Sequence, residues 1–300
     1  MRGGQGLAVS LVGAGLLCQE VGASIATRLF PQTGPLGMVM LRLVFSALLL
    51  LVIARPALRG RARGGWLPVV GFGVVLAVMN GLFYLALERL PLGVTVTIEV
   101  LGPLTLSIVA SRRASAWLWA ALALAGVAAL AGGGWDRLDP VGVLFALGAA
   151  ASWAAYILAS ARVGRAFPKL DGLALAMAIG AVLSLPFGIV DAGPALRDPV
   201  VVGLGAAVAV LSSTIPYALE LVALRRLAAS TFAILMSLGP ATAALAGLVL
   251  LDQRLSGLEL VGIALVIAAS MGAVLAASRA ERDASSPRVE PDEPFAEPVA

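Results

Sequence analysis

Four ionisable side chains lie well inside long apolar segments of this chain, where charge is least expected. They are Glu20, Arg42, Glu99 and Glu220. A charged group at the centre of a membrane helix costs about 2.5–3.5 kcal/mol even on lenient insertion scales, so each one needs a partner, water or a proton. Such side chains commonly mark substrate or proton pathways, although Glu220 lies near enough to a segment end to reach the membrane surface instead.

Glu99 has the most specific surroundings of the four. Pro103 follows it by four residues and has no N–H, so the backbone carbonyl of Glu99 loses its usual helical donor. A carboxylate and a free carbonyl then share one bend of the helix. We therefore predict that Glu99 belongs to a binding site. The alternative is a packing kink in which Glu99 pairs structurally with Arg42.

A helix-breaking glycine-proline pair occurs twice, within an internal repeat. Residues 86–103 and 223–240 match at 7 of 18 positions, at an offset of 137. Interrupted helices at matching positions in two halves are the best sequence indication of a transporter's binding site. If five spans separate the copies, the halves have opposite orientations in the membrane, as in many secondary transporters. The predicted helix-break and gating residues are Gly102, Pro103, Gly239 and Pro240.

Arg42 and Glu20 are the other candidates for direct contact with a ligand. Arg42 and Glu99 both lie about six residues, or roughly 9 Å, from the same end of their spans. Arg42 is predicted to hold a substrate carboxylate, or else to form a structural ion pair or point to the headgroups. Glu20, beside Gln19 at mid-depth, is predicted to face a cavity or to hydrogen-bond another helix. The groups that could complete the pocket walls, or simply pack in the core, are Asn80, Tyr84, Tyr156 and Tyr217.

The composition indicates an integral membrane protein. Of its 300 residues 60% are hydrophobic and 13% are charged, and the mean hydropathy is +0.99, far outside the range of soluble domains. There is no His, and Cys18 is the single cysteine, which excludes an internal disulfide and a His/Cys metal cluster. Without a nucleophile, base or metal set, we expect neither an enzyme nor a cofactor.

Ten apolar runs are long enough to cross a bilayer, which takes roughly 20 helical residues. The first run is long and lacks a clear signal-peptidase site, so we interpret it as a retained span. The predicted spans are residues 7–29, 36–54, 67–87, 93–111, 116–133, 141–161, 172–190, 200–224, 231–251 and 257–278.

The 21 Lys and Arg residues predict the orientation, because positive charge in short loops favours the cytoplasm. Fifteen fall on the side of the two termini and five on the other side, and Arg42 lies inside a span. Both termini are therefore predicted to be cytoplasmic, and the basic residues report orientation rather than nucleic-acid binding. We expect a first five-helix repeat over 1–138, a second over 139–278, and a disordered cytoplasmic tail over 279–300, which is too polar to order itself.

With this repeat and these spans, the sequence resembles the drug/metabolite transporter superfamily, in its EamA branch, and most closely the threonine/homoserine exporters. The resemblance covers nearly all of residues 7–278, and its most telling stretches include MNGLFYLALERLPLGVTVTIEVLGPL (79–104) and LSSTIPYALELVALRRL (211–227). It implies a bacterial inner-membrane exporter of ten helices, arranged as two inverted five-helix repeats. Helices one to four and six to nine would surround a central cavity.

The resemblance also implies which positions line the pocket or gate it. By matching motif positions these are Gln19, Arg42, Asn80, Tyr84, Glu99, Tyr156, Tyr217 and Glu220. Three places depart from the family pattern. Gly239 stands where similar exporters tend to have Glu before the proline, Asp252-Gln253 replaces a frequent Gly-Glu pair, and Glu20 stands where a small polar residue is more usual.

These features predict a secondary active transporter that exports small amino acids or related metabolites by alternating access. The substrate ammonium would lie near Glu99 or Glu20 and its carboxylate near Arg42 or a helix N-terminus. Protons would be exchanged if one carboxylate binds either H⁺ or substrate. The alternatives are export of another metabolite, an aromatic amino acid, a purine or a drug, or a non-transporting receptor or scaffold. The expected partners are a small substrate, protons and the lipid bilayer, in a monomer or homodimer.

Overall fold

The computed structural model is all-helical, with no strand, within the residues it describes. These are residues 2–56, 66–111, 115–130, 138–167, 170–224, 226–227 and 229–285. The helices are α1 Arg2–Ala54, α2 Trp66–Leu87, α3 Leu92–Glu99, α4 Leu101–Ser111, α5 Ser115–Leu130, α6 Pro140–Ala166, α7 Asp171–Ala192, α8 Pro199–Ala209, α9 Ile215–Leu224, α10 Ala229–Met236, α11 Gly239–Leu251 and α12 Gly257–Ser285. A 3₁₀ turn, Gly193–Arg197, precedes α8, and a π-helical turn, Val210–Thr214, joins α8 to α9.

Helical structure coincides with every predicted apolar span. Seven helical segments in the described part of the chain are long and apolar enough to cross a membrane, and Ala116–Leu130 and Pro199–Thr214 are shorter apolar helices. The first segment, Gly6–Ala54, has 49 residues. At about 1.5 Å per residue it is more than twice as long as a hydrocarbon core of roughly 30 Å is thick.

A bend at Gly34 divides α1 at the place where the sequence predicts two spans. Gly34 has φ 64° and ψ 164°, a backbone conformation that is open to glycine and strained for other residues. The Asp191 carboxylate lies against it and accepts hydrogen bonds from the backbone N–H groups of Leu36 at 2.8 Å and Gly37 at 3.3 Å. The end of α7 therefore caps the helix that restarts after the bend.

Two short helices occupy equivalent places in the internal repeat. Helices α3 and α10 have eight residues each, and both their first and their last residues are 137 positions apart. The helical path resumes at Leu101 in α4 and at Gly239 in α11. The two prolines that follow lie in first turns, where a missing N–H breaks no helical hydrogen bond. The helix interruptions thus lie just before the two glycine-proline pairs.

Helices from the two parts of the chain pack mainly against one another. Helix α1 packs against α7, α8 and α9, α2 packs against α6 and α7, α3 packs against α11, and α5 packs against α12. The closest approach is that of α4 to α6, where a Cβ at Gly102 would collide with the carbonyl oxygen of Ala150. This interlocked packing forms a space between the two sets of helices.

The last helix extends beyond the predicted span. Helix α12 starts with a capping box, in which the Ser256 N–H donates to the Glu259 carboxylate at 2.6 Å and the Glu259 N–H donates to the Ser256 hydroxyl at 3.3 Å. It continues to Ser285, past residue 278 where the tail was predicted to begin. The remaining part of the predicted tail, residues 286–300, lies outside the described residues.

Candidate binding cavity

A cavity of about 450 Å³ lies between the two sets of helices. Its volume is within the range of roughly 300–1,000 Å³ that is usual for small-molecule sites. Its polar side chains are Gln19, Glu20, Arg42, Asn80, Glu99, Ser107, Tyr156, Ser212, Glu220, Ser237 and Ser270. Helices α1, α2, α3, α4, α6, α9, α10 and α12 and the π-helical turn all contribute to the wall, so the fold converges on this space.

Two carboxylates and one guanidinium form a charged cluster in the wall, and Glu220 is a third carboxylate of the lining. Glu20 is only 2% exposed, and its Oε2 atom has no hydrogen-bond partner within the described residues. Glu99 is the last residue of α3 and is half-buried. Glu20 lies close enough to Glu99 and Arg42 for electrostatic interaction with both. A buried, unpaired carboxylate oxygen that faces a cavity indicates a place for a proton, a cation or water.

Arg42 is held in position by uncharged groups. Its Nη1 donates to the Tyr84 hydroxyl at 3.4 Å, and its Nη2 donates to the backbone carbonyl of Ser212 at 3.3 Å. The guanidinium also lies 5.6 Å from the centre of the Tyr84 ring, within cation–π distance. These contacts orient the guanidinium toward the cavity, where it could bind a carboxylate.

The rest of the cavity lining is largely apolar. It contains the aromatic rings of Phe83, Trp153 and Phe232 and the thioethers of Met79 and Met236. The cavity is therefore amphipathic, since its lining contains both charged and polarizable apolar groups. Such a wall accommodates the apolar part of a small zwitterion or of a larger side chain.

Most of the predicted site residues meet in this one cavity. Those that line it are Gln19, Glu20, Arg42, Asn80, Glu99, Pro103, Tyr156, Glu220 and Gly239. Tyr84 instead lies fully buried behind Arg42, and Gly102 and Pro240 are buried in helix contacts. The side chain of Tyr217 lies outside the described part of the structure.

Two serines of the wall were not predicted from the sequence. The Oγ atoms of Ser212 and Ser270 are buried and have no hydrogen-bond partner among the described residues. Ser270 carries no distinguishing sequence signal. Ser212 does, because Pro216 follows it by four residues, the same spacing that drew attention to Glu99.

Three polar contacts join the two parts of the chain near the ends of helices. The N–H of Leu92, at the start of α3, donates to the Gln253 side-chain carbonyl at 2.9 Å. Arg89 pairs with Asp139, the N-cap of α6, at 2.9 Å. The Arg28 guanidinium donates to the carbonyl of Leu250 in α11. Each contact joins a helix end before residue 138 to one after it.

Known proteins are similar to this chain over most of its length. A profile of the EamA-like transporter family matches residues 140–275. The threonine/homoserine exporter RhtA of Salmonella typhimurium strain LT2 is 40% identical over 262 residues, which cover 87% of this chain and 88% of the relative. The exporter of the same name from Escherichia coli K12 is 41% identical over 256 residues, 85% of this chain and 86% of the relative.

A solved crystal structure shares the fold at 20% sequence identity, with a TM-score of 0.62 over 93% of this chain and 99% of that chain. The sequence relatives carry more information, because they preserve 40% or more of the residues across both parts of the chain. The predicted family is confirmed, and the protein is a multi-pass membrane transporter rather than an enzyme. The chain belongs to the EamA-like transporter family.

Proposed function

We propose that the protein exports small amino acids of the threonine/homoserine type across the bacterial inner membrane, in exchange for protons. The observation that carries this proposal is the meeting of Glu20, Glu99 and Arg42 at one amphipathic cavity. The similarity to threonine/homoserine exporters from two bacteria supports the same substrate class.

The membrane arrangement in this proposal has ten helices in two inverted repeats, residues 1–138 and 139–278, with both termini in the cytoplasm. The length of α1 and its bend at Gly34 support two crossings where one helix is continuous. The equal lengths of α3 and α10, at an offset of 137, support two equivalent halves. The excess of Arg on the side of the termini supports the orientation.

A small zwitterion fits the charges of the cavity. Arg42 would bind the substrate carboxylate through its guanidinium, and Glu20 or Glu99 would accept hydrogen bonds from the ammonium group. Each charge of the substrate then lies next to a group of opposite charge in the cavity wall. Its side chain would lie toward Trp153 and Phe232 on the apolar wall.

Proton exchange follows from the count of charges on that wall. Three carboxylates, Glu20, Glu99 and Glu220, share the cavity with one guanidinium, so Arg42 leaves carboxylate charge uncompensated, which is costly to bury alone. Either a proton or the substrate ammonium removes that cost, and the same carboxylate oxygen cannot bind both. Because of this competition, release of the substrate to the outside is coupled to the entry of a proton.

Alternating access is supported by the contacts at one end of the bundle. The hydrogen bond from Leu92 to Gln253 and the ion pair of Arg89 with Asp139 tie the halves together beyond the cavity. In the proposed orientation this is the outer end, and the contacts there support an inward-facing arrangement. Export would require these contacts to break while the opposite end closes.

The test is threonine accumulation in inside-out vesicles with an imposed pH gradient. Wild type should accumulate threonine, and Glu99→Gln should lose gradient-driven accumulation while the protein remains in the membrane. Glu259→Gln is the matched control, because it makes the same change of acid to amide in the capping box of α12, at a residue that does not line the cavity. Unchanged accumulation by Glu99→Gln would remove Glu99 from the proton pathway.

The apolar wall favours a second candidate, the export of a larger or aromatic amino acid. Trp153, Phe83 and Phe232 could stack on a planar side chain. A counterflow screen with unlabelled competitors separates the two candidates. If phenylalanine or tryptophan competes and neither threonine nor homoserine does, the first substrate assignment is wrong.

A further inference from the structure

The connection between α8 and α9 places an unusual backbone carbonyl at the cavity. In an α-helix the carbonyl of Ser212 would accept the N–H of residue 216. That residue is Pro216, which has no N–H. The chain forms the π-helical turn Val210–Thr214 at this place, and the Ile215 N–H reaches back to the carbonyl of Val210. Turns of this kind inside helices are frequent at functional sites.

This carbonyl accepts a hydrogen bond from a distant charged residue. Arg42 Nη2 donates to it at 3.3 Å, across 170 residues of sequence. The bond orients the guanidinium without cancelling its charge, since the acceptor is neutral. The Tyr84 hydroxyl, at 3.4 Å from Nη1, holds the other arm of the guanidinium in the same way.

The π-helical turn is itself held in place against α1. A Cβ at Gly22 would collide with the Ser212 hydroxyl, so α1 and the turn are in direct contact there. Two turns earlier on the same helix, a Cβ at Gly15 would lie 3.8 Å from the Cα of Pro216. Pro216 therefore sits in a fixed place, between the helix that carries Glu20 and the carbonyl that holds Arg42.

We infer that Pro216 is a positioning residue for Arg42: by withholding a helical N–H, it leaves the Ser212 carbonyl to orient the guanidinium for the substrate carboxylate. This inference rests on the proposed function, because it requires Arg42 to bind substrate. It assigns a role to a residue that does not line the cavity, and it explains why a helix break is placed in the second half, opposite the charged residues of the first.

The test is a double-mutant cycle read on threonine counterflow in proteoliposomes. Pro216→Ala supplies the missing N–H, so the Ser212 carbonyl gains a helical donor that competes with Arg42, and the guanidinium loses one of its hydrogen bonds. We expect the KM for threonine to rise about 3- to 10-fold, the usual effect of one hydrogen bond, with kcat changed less than about 2-fold. In an Arg42→Gln background, Pro216→Ala should change KM by less than about 2-fold, because no guanidinium is left to position.

Pro186→Ala is the matched control. Pro186 also lies inside a helix, α7, but on an exposed face away from the cavity, so its replacement should leave KM unchanged. Pro216→Gly is the second variant if the alanine protein does not fold, since glycine supplies the same N–H and tolerates the bend.

The outcomes separate this inference from the proposed function. Equal effects of Pro216→Ala in both backgrounds would overturn the inference alone. An unchanged KM in Arg42→Gln by itself would overturn both the inference and the binding role of Arg42. If wild type does not exchange threonine, the proposed substrate is wrong, and the cycle is then measured on the amino acid that does exchange.

Discussion

The two halves of the chain present opposite chemistry to the cavity at equivalent positions. At the repeat offset of 137, three residues of the first half correspond to three of the second, and all six line the cavity: Glu20 to Ile157, Glu99 to Met236 and Gln19 to Tyr156. The first half supplies acids and an amide, and the second supplies apolar and aromatic groups. Glu220 reverses the pattern, since its counterpart is Phe83.

This difference shows that equivalent positions of the repeat can share a backbone position and still carry different side-chain chemistry. Helices α3 and α10 end at equivalent residues, yet one ends in a carboxylate and the other in a thioether. Matching helix ends at this place therefore contribute to an asymmetric pocket, with a carboxylate from one half and an apolar group from the other. The predictions below test that division.

Removing an acid from the first half should have the largest effect. We expect Glu20→Gln and Glu99→Gln each to lower threonine export by about 100-fold or more, which corresponds to the loss of about 2.7 kcal/mol. Conservative changes at the equivalent positions of the second half, Ile157→Val and Met236→Leu, should change the rate of threonine export by less than about 3-fold. Initial rates in proteoliposomes, normalised to protein content, measure both sets. Similar losses in the two halves would contradict the division.

The two glycines that precede the repeated prolines should also respond differently. Gly102→Ala should destabilise the protein by about 1–3 kcal/mol, because the new Cβ meets the carbonyl of Ala150. Gly239→Ala should change stability by less than about 1 kcal/mol, since the nearest atom to a Cβ there, in Val96, is 4.0 Å away. Thermal unfolding of the purified proteins measures the contrast. Equal shifts in Tm for the two variants would show that the packing around Gly102 and Gly239 does not differ in this way.

The contact of Gln253 with Leu92 tests how firmly the halves are tied at one end. Gln253→Leu removes the acceptor and should raise the population of the state that is open at that end by about 2- to 10-fold. Gln253→Glu should lower it, because a carboxylate is a stronger acceptor at a helix N-terminus. Thiol labelling from outside, on Val96→Cys with Cys18 replaced by Ser, measures the opening. Identical labelling of all three proteins would exclude a gating role.

The smallest effect is expected at the Arg89–Asp139 pair, which is partly exposed. The hydrogen bond from Arg89, with those from the backbone of Gly142 and Val141, holds the pKa of Asp139 below its usual value. The Asp139 carboxylate therefore stabilises the folded protein fully above the usual Asp pKa of about 3.9. This stabilisation is lost as pH falls through the lowered pKa. Asp139→Asn should lower Tm slightly at pH 7, with the difference vanishing in acid. Asp198→Asn, at the N-cap of α8, controls for the loss of a carboxylate charge at an N-cap.

Hydropathy predicted the helices well, because membrane-length apolar runs leave the backbone no alternative to helical hydrogen bonding. The predicted span 67–87, for example, corresponds to α2, Trp66–Leu87. The rule that proline frees a carbonyl predicted the importance of Glu99, which does line the cavity. The same rule, applied to Pro216, would have indicated Ser212 as a candidate residue of the cavity wall.

Other parts of the site could not be read from the sequence. Hydropathy gives the depth of a residue but not the direction in which it points, so Tyr84 was placed in the pocket wall although it lies behind Arg42. The bend at Gly34 depends on Asp191, and the cap of α3 depends on Gln253, both more than 150 residues away along the chain. Contacts of that kind follow from the packing of the halves and leave no local pattern.

The most direct test of the central proposal is whether threonine binding releases a proton. Calorimetric titration of the purified protein in buffers of different ionisation enthalpy measures the number of protons released. We expect wild type to release about one proton for each threonine bound. The variant that lacks the competing carboxylate, Glu20→Gln or Glu99→Gln, should release close to none. Binding of threonine with no proton release at any pH would contradict competition between substrate and proton at these carboxylates.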